Sequence, residues 1–284
     1  MPDLAVTHAA LLAEAEARLE GAGIAEPGRE ALRIWADLRG TKPGAAFLER
    51  EQPVAPGEQR AYLQAVARRA AGEPLAYVTG WAGFRRLELK ADRRALIPRP
   101  ETEGLVEGLL ARAATGRVAD VGTGSGCIAL SLATEGRYDT VVAVDRSADA
   151  LALARANRDL VGAAVGLVRG DLTSALATGS LDVLVSNPPY VTDAEHAALD
   201  PSVAQWEPAA ALASGPGGLD ATARLLDDGR RVLVAGGWIA LEVDASRARA
   251  VGALARQLGW TDVEIGVDLF GRERYLFARR SERP

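Results

Sequence analysis

The stretch Arg117-Val118-Ala119-Asp120-Val121-Gly122-Thr123-Gly124-Ser125-Gly126-Cys127-Ile128-Ala129-Leu130 passes from a short apolar run through three glycines into a helical run. Glycine allows a tight turn and a close backbone approach to a ligand. The N-terminus of the following helix presents unpaired N–H groups and the positive end of the helix dipole. The stretch therefore predicts a strand, a ligand-binding loop and a helix, the first unit of a doubly wound α/β sheet.

Downstream of this stretch, β-rich runs alternate with helical runs, which is typical of an open, mainly parallel sheet with helices on both faces. Ligands of such a sheet bind beyond the carboxyl ends of the strands, so the residues at those ends are candidate site residues. We predict seven strands: Val118–Val121, Thr140–Val144, Val165–Arg169, Leu181–Ser186, Trp238–Val243, Asp262–Ile265 and Tyr275–Ala278.

Upstream, apolar residues recur at helical spacing between residues 4 and 70, which predicts a small helical bundle. Residues 75–96 show aromatic, β-branched and alternating apolar positions, which predict a β-hairpin. Pro98 and Pro100 then force extended backbone before a helix that begins near Glu101. We divide the chain into a helical domain (1–74), a hairpin connector (75–100) and an α/β domain (101–284).

The 284 residues are 48% hydrophobic and 25% charged, values that indicate a globular protein. The longest nearly apolar run, Val232–Val243, is too short to span a bilayer, and Met1–Leu4 lacks the basic residues of a secretion signal. With Cys127, His8 and His196 as the only cysteine and histidines, neither an intramolecular disulfide nor a Cys/His metal cluster can form. We expect a cytoplasmic, metal-free protein with both histidines at the surface.

Net charge is −5, and residues 101–284 carry 18 basic and 25 acidic side chains. This balance argues against a free nucleic-acid-binding protein, which needs a strong basic face. Residues 85–99 are a local exception with six basic and two acidic side chains. They could form a solvated hairpin or an electrostatic docking edge for a macromolecule.

Two acidic residues follow later strands of the predicted sheet. Asp145 ends the second strand, 23 residues after Gly122, where a carboxylate can accept both hydroxyls of a ribose in NAD or in S-adenosylmethionine. The glycines are spaced G-x-G-x-G and the loop begins with Asp120, which favours a methyl donor without a pyrophosphate. Asp171 ends the third strand, where it could accept from an adenine amine or cap a helix.

The fourth predicted strand ends at Asn187-Pro188-Pro189-Tyr190, where two prolines remove N–H donors and hold the backbone extended. The Asn187 side-chain oxygen and the Pro188 carbonyl can accept both hydrogens of a planar –NH2 group, directing its lone pair at a methyl carbon. Tyr190 can pack on the face of that group. The motif suits a carboxamide or an amino-purine, and it acts through oriented dipoles rather than proton abstraction.

With these motifs the chain resembles the HemK/PrmC family of protein-glutamine methyltransferases, which modify the Gly-Gly-Gln glutamine of class I peptide chain release factors. The resemblance covers nearly the whole chain, whereas Asn-Pro-Pro-Tyr alone is shared with adenine methyltransferases. The resemblance is carried by Glu73–Gly80, Leu96–Glu103, Asp120–Gly126, Val144-Asp145, Ser186–Tyr190 and Asp268–Arg274.

The resemblance implies a seven-stranded Rossmann-like S-adenosylmethionine-dependent methyltransferase domain, with an N-terminal helical bundle that recognises the release factor. Implied catalytic residues are Asn187, Pro188 and Tyr190. These three, together with Pro189, would hold the glutamine amide, and Phe84 would flank the substrate pocket. Arg99 and Glu101 would be structural or lining residues. Implied cofactor contacts are Gly122, Thr123, Gly124, Ser125, Gly126, Asp145, Asp171, Leu172 and Asn187.

The implied reaction converts S-adenosyl-L-methionine to S-adenosyl-L-homocysteine and methylates the glutamine amide nitrogen. We expect a monomer that binds class I release factors, without nucleic acid or membrane. Glutamine methylation of a ribosomal protein, adenine methylation of nucleic acid and a non-catalytic binding module are the alternatives. The chain departs from the family at Leu172 and Arg85, where relatives carry aromatics, and at Glu242–Arg247, where they show Glu-x-Gly and a downstream Gln.

Overall fold

The structure, a computed structural model, describes residues 6–199 and 201–282. The chain forms two compact units, one of Met1–Trp81 with Asp200–Trp206 and one of Ala82–Leu199 with Glu207–Pro284. Helices are α1 (His8–Gly21), α2 (Pro27–Leu38), α3 (Ala45–Glu49), α4 (Pro56–Ala70), α5 (Leu75–Thr79), α6 (Pro100–Leu110), α7 (Cys127–Glu135), α8 (Ala148–Val161), α9 (Asp193–Ala197), α10 (Pro201–Ala204), α11 (Ala209–Leu212), α12 (Asp220–Val232) and α13 (Ala248–Gln257). Strands are β1 (Trp81–Phe84), β2 (Leu87–Lys90), β3 (Thr115–Val121), β4 (Arg137–Asp145), β5 (Val165–Arg169), β6 (Leu181–Ser186), β7 (Leu233–Glu242), β8 (Trp260–Val267) and β9 (Glu273–Arg280).

The first unit is helical, as predicted, and its described part begins at residue 6, so the predicted helical position Leu4 lies outside it. Its core contains His8, which is 3% exposed, and the surface position expected for this residue is wrong. The Trp35 indole Nε1 donates to His8 Nδ1 over 3.0 Å, because a buried indole N–H needs an acceptor. Burial and the nearby Arg39 lower the pKa of His8 and favour the neutral ring that can accept this bond.

The hairpin in the structure is shorter than the one predicted for residues 75–96. Strands β1 and β2 form a two-stranded sheet over residues 81–90, whereas residues 75–79 form the short helix α5. Pro74 precedes this helix, and Gly80, with φ of 81°, ends it in a left-handed conformation that glycine adopts without strain.

The second unit contains all seven predicted strands in one sheet, ordered β5-β4-β3-β6-β7-β9-β8. The first five are parallel, and β9 runs antiparallel to both of its neighbours. One apolar cluster packs α6 and α7 against the sheet and another packs α12 and α13, so β3 and β6 are buried on both faces. None of the helices within the described ranges is long and apolar enough to span a membrane.

The chain order of the strands reverses between β3 and β6, which are direct neighbours. Asp120 in β3 is in register with Val185 in β6, so the glycine loop and Asn187 leave adjacent strands at the same edge of the sheet. Ser186 strengthens this junction by donating to the Val121 carbonyl over 2.6 Å. Open α/β sheets bind ligands at such a switch point.

Candidate active site

A cavity of about 380 Å³ lies at the carboxyl ends of the central strands, within the α/β unit. Its volume is in the range of small-molecule binding sites. The residues that line the cavity do not include the predicted site residues Gly126, Pro188, Tyr190 and Phe84. The cavity brings together the predicted site residues Gly122, Thr123, Gly124, Ser125, Asp145, Asp171, Leu172, Asn187 and Pro189.

The Asp120 carboxylate holds the glycine loop in place by hydrogen bonds. Its Oδ2 accepts from Thr123 Oγ1 over 2.5 Å and from Ala129 N over 3.1 Å, which joins the loop to the first turn of α7. The loop can turn this tightly because Gly122 and Gly124 have φ of 73° and 56°. Burial raises the pKa of Asp120 to about 7, and its Oδ1 has no hydrogen-bond partner among the described residues.

Asp145 lines the cavity and accepts one backbone hydrogen bond on each carboxylate oxygen. Oδ2 accepts from Gly124 N and Oδ1 accepts from Ser147 N, each over 2.9 Å. Each oxygen can accept a further hydrogen bond, because a carboxylate oxygen offers two acceptor positions. A ribose diol would meet the two remaining positions, as the sequence predicts.

Gly126 has a different role from the other two glycines of the loop. A Cβ built on it would lie 3.3 Å from the Ala154 Cβ and 3.4 Å from Leu130 Cδ1. Its φ is 86°, so any other residue would also be strained there. Gly126 therefore allows the close packing of α7 on α8, and its cofactor contact stays a prediction.

Asp171 and Leu172 lie on the cavity wall after β5. Asp171 is exposed and pairs with Arg224, with 2.6 Å between Nη2 and Oδ2, which leaves its other oxygen available for an amine. Leu172 has φ of 50°, a left-handed conformation that is strained for a non-glycine residue.

Asn187 is held by a short chain of hydrogen bonds. Its Nδ2 donates to Thr102 Oγ1 over 3.1 Å, and the Thr102 hydroxyl donates to Glu242 Oε2 over 2.7 Å. Glu242 is 1% exposed, and burial raises its pKa to about 7. No group within residues 6–199 and 201–282 donates a hydrogen bond to Asn187 Oδ1, so this acceptor remains for a ligand.

The residues of the Asn-Pro-Pro-Tyr loop that follow Asn187 are partly or fully buried by neighbouring segments. Pro188 is buried and Tyr190 is half-buried, and burial raises the pKa of the Tyr190 hydroxyl to about 12. Arg247 donates to the Tyr190 carbonyl over 3.5 Å, and a Cβ on Gly218 would lie 2.5 Å from the same oxygen. Arg247, which belongs to the segment that departs from the family pattern, therefore contacts the loop at Tyr190.

Sequence reasoning missed Glu207, which is 6% exposed. Its carboxylate accepts from Ile97 N over 3.2 Å and forms an ion pair with Arg99, which lines the cavity as expected. No motif marks Glu207, because its partners lie about 110 residues away in the chain.

The basic segment 85–99 forms ion pairs within the fold. Arg85 pairs with Glu135 over 2.8 Å, Arg94 with Asp92 over 2.6 Å, and Arg99 with Glu207. At least three of its six basic groups therefore have acidic partners, which favours the structural interpretation over a docking edge.

Phe84 is 1% exposed and belongs to the core cluster that packs α6 and α7 against the sheet. The pattern of β1 explains this placement, since Ala82 and Phe84 face the core while Gly83 between them is exposed. Phe84 therefore belongs to the core, and its place beside a substrate pocket stays a prediction.

Comparison with known proteins gives a consistent result. The family described as Methyltransferase small domain matches residues 100–205, and the family described as PrmC N-terminal domain matches residues 10–80. The chain is 39% identical to the release factor glutamine methyltransferase of Deinococcus radiodurans over 277 residues, 95% of this chain and 98% of that protein. It is 40% identical to that of Moorella thermoacetica over 279 residues, with the same two coverages.

Among solved structures, a methyltransferase from Pyrococcus furiosus aligns with a TM-score of 0.53 and 19% identity. The alignment covers 80% of this chain and 100% of that one, which shows a shared methyltransferase fold. The resemblance drawn from the sequence motifs is thereby confirmed. The chain belongs to the release factor glutamine methyltransferase family.

Proposed function

We propose that the chain transfers the methyl group of S-adenosylmethionine to the side-chain amide nitrogen of the glutamine in the Gly-Gly-Gln motif of class I release factors. The observation that carries the proposal is the placement of Asn187 beside the glycine loop, with Nδ2 bonded to Thr102 and Oδ1 available. Family membership supports the choice of a release factor as the substrate.

The residues that line the cavity fit S-adenosylmethionine. Asp145 has two acceptor positions for the ribose hydroxyls, Asp171 has one for the adenine amine, and the backbone of residues 122–125 lies between them and Asn187. When bound, S-adenosylmethionine supplies an electrophilic methyl group on a sulfonium ion.

An amide nitrogen is a weak nucleophile because its lone pair is delocalised into the carbonyl. Asn187 Oδ1 and the Pro188 carbonyl would each accept one hydrogen of the glutamine –NH2, which orients the nitrogen and raises its electron density. The nitrogen gains the methyl group, the electron pair of the C–S bond remains on sulfur, and the nitrogen releases one proton to solvent. The acceptors act by position and dipole, so the mechanism needs no side chain with the basicity to deprotonate an amide.

The proposal assigns release-factor recognition to the helical unit. This unit exposes three large apolar side chains, Leu38 at 45%, Phe47 at 70% and Leu48 at 84%. These exposed apolar side chains are the candidate contacts of this unit with a protein partner. The proposed enzyme is a monomer that acts in the cytoplasm, where class I release factors act, and needs no metal.

The test is transfer of labelled methyl from S-adenosylmethionine to a class I release factor, to its Gly-Gly-Gln→Gly-Gly-Ala variant, to ribosomal proteins and to duplex DNA. We expect label on the wild-type factor alone. Label on the alanine variant or on another substrate contradicts the assignment, and no label on any substrate contradicts the activity.

The Asn187→Ala variant tests the mechanism. It should lose turnover while it retains most of its affinity for S-adenosylmethionine, because the lost acceptor serves the reacting nitrogen. Single-turnover transfer and calorimetric cofactor binding measure the two effects separately. A variant that methylates the factor at the wild-type rate excludes the proposed role of Asn187.

A further inference from the structure

We infer, on the basis of the proposed function, that Thr102 and Glu242 are positioning residues that fix which end of the Asn187 carboxamide faces the glutamine. The two residues lie on different elements from Asn187. Thr102 is in the first turn of α6, and Glu242 is the last residue of β7.

The sheet register brings Glu242 beside Asn187. Ser186 at the end of β6 pairs with Leu241 in β7, so the residues that follow, Asn187 and Glu242, are neighbours. Thr102 lies between their side chains, bonded to Asn187 Nδ2 over 3.1 Å and to Glu242 Oε2 over 2.7 Å. Thr102 is 2% exposed and Glu242 is 1% exposed, so bulk water does not compete for these bonds.

The direction of the bonds follows from the number of protons. A threonine hydroxyl has one hydrogen, and the ionised Glu242 carboxylate, which can only accept, takes it. The Thr102 oxygen can then only accept, and of the two ends of the Asn187 carboxamide only Nδ2 can donate. The oxygen of Asn187 is thereby directed away from Thr102, toward the position proposed for the substrate amide.

A flipped carboxamide would be ineffective in the proposed reaction. It would present Nδ2 to the glutamine –NH2, donor against donor, and it would place Oδ1 against a hydroxyl oxygen that has no hydrogen to offer. Loss of orientation at a reacting group costs roughly 100-fold in rate for a displacement of about 1 Å. Thr102, which lines the cavity, and Glu242 therefore affect the rate of transfer through the orientation of Asn187.

The test compares Thr102→Val with Thr102→Ser. Valine has the shape of threonine without the hydroxyl, and serine retains the hydroxyl. We expect Thr102→Val to lower kcat for release-factor methylation at least tenfold, with Kd for S-adenosylmethionine within twofold of wild type, and Thr102→Ser to recover most of kcat. Thr134→Val is the matched control, because the Thr134 hydroxyl bonds only to backbone carbonyls within α7, 2.9 Å from the Leu130 oxygen.

Rates are normalised to the fraction of each protein that binds S-adenosylmethionine, so loss of folded protein alone leaves kcat unchanged. The inference is overturned if Thr102→Val retains more than a third of wild-type kcat, or if Thr102→Ser falls as far as Thr102→Val. If Thr102→Val does not fold, Glu242→Leu decides, since leucine has no acceptor for the Thr102 hydroxyl, whose hydrogen can then be offered to Asn187 Oδ1. A kcat above a third of wild type then overturns the inference, and a lower kcat supports it.

Failure of the proposed function is distinguishable from failure of the inference. If wild-type protein methylates no release factor, the proposed function fails and the inference fails with it. If wild-type protein is active and Thr102→Val is equally active, only the inference fails.

Discussion

Replacement of the buried Asp120 by asparagine should change how the stability of the protein depends on pH. Asp120 is fully buried, and burial raises its pKa from 3.8 to about 7. The folded protein therefore keeps this proton up to about pH 7, whereas the unfolded chain loses it near pH 4. The contribution of protonated Asp120 to the free energy of unfolding is complete below about pH 4, where both states hold the proton. This contribution is lost as pH rises from about 4 to about 7. The carboxamide introduced by Asp120→Asn cannot ionise, so the variant lacks this loss.

The size of the expected change in the free energy of unfolding follows from the pKa shift of Asp120. A pKa difference of about 3 units corresponds to about 4 kcal/mol over the whole titration, of which about 2 to 3 kcal/mol falls between pH 5 and 8. Glu242, with its pKa also raised to about 7, contributes a similar decline that is present in both proteins. His8, whose pKa is lowered, acts in the opposite direction and cancels in the comparison.

Urea unfolding at several values between pH 5 and 8 measures the effect. We expect the free energy of unfolding of Asp120→Asn, relative to wild type, to rise by about 2 to 3 kcal/mol across this range. Asp182→Asn is the control, because hydrogen bonds from Arg117 lower the pKa of Asp182 and keep its titration below this range. Parallel pH curves for wild type and Asp120→Asn refute the reasoning.

Three further predictions test separate parts of the molecule. Asp145→Ala should weaken S-adenosylmethionine binding at least tenfold in calorimetry, because the proposed ribose acceptors are lost; unchanged affinity contradicts this role. Gly108→Ala should destabilise the α/β unit by about 1 to 3 kcal/mol in urea unfolding, since its Cβ would lie 2.5 Å from Phe277 Cζ, whereas Gly57→Ala, with open space around it, should not destabilise. Phe47→Ser, at an exposed apolar side chain, should raise KM for the release factor several-fold in steady-state methylation and leave kcat unchanged; an unchanged KM removes α3 from the proposed recognition surface.

The sheet could be predicted because each of its strands is recognisable from a short segment of sequence. Buried parallel strands such as β6 read as apolar runs, and the topology of an α/β sheet places the residues after such strands at one edge. The adjacency of Gly122 and Asn187 therefore follows from two short patterns and one rule of topology. The same reasoning could not find Glu207, because an ion pair with a partner 108 residues away leaves no pattern in either segment.

The positions of His8 and Phe84 in the fold have the same physical origin. Histidine is more often exposed than buried, so composition favoured a surface position for His8, but the Trp35 indole N–H needed a buried acceptor. Phe84, carried over from a family pattern as a pocket residue, is turned toward the core by the alternation of β1, and its pocket role stays a prediction. Side-chain partners across the fold decide both cases, and the sequence near each residue does not reveal them.

Two buried acids, Asp120 and Glu242, lie on either side of Asn187 in the sheet. Each lowers the stability of the fold when it ionises, and each holds a neighbouring threonine in place. Asp120 is the next-to-last residue of β3 and Glu242 is the last residue of β7, with β6 between these strands. Ionisation of each is unfavourable in the interior, yet Asp120 orients Thr123 in the glycine loop and Glu242 orients Thr102. A fold selected for stability alone would replace such groups by apolar or neutral ones. Their presence at the two flanks of the proposed reacting nitrogen is therefore explained by what they orient, and variants that gain stability at these positions should lose cofactor affinity or rate.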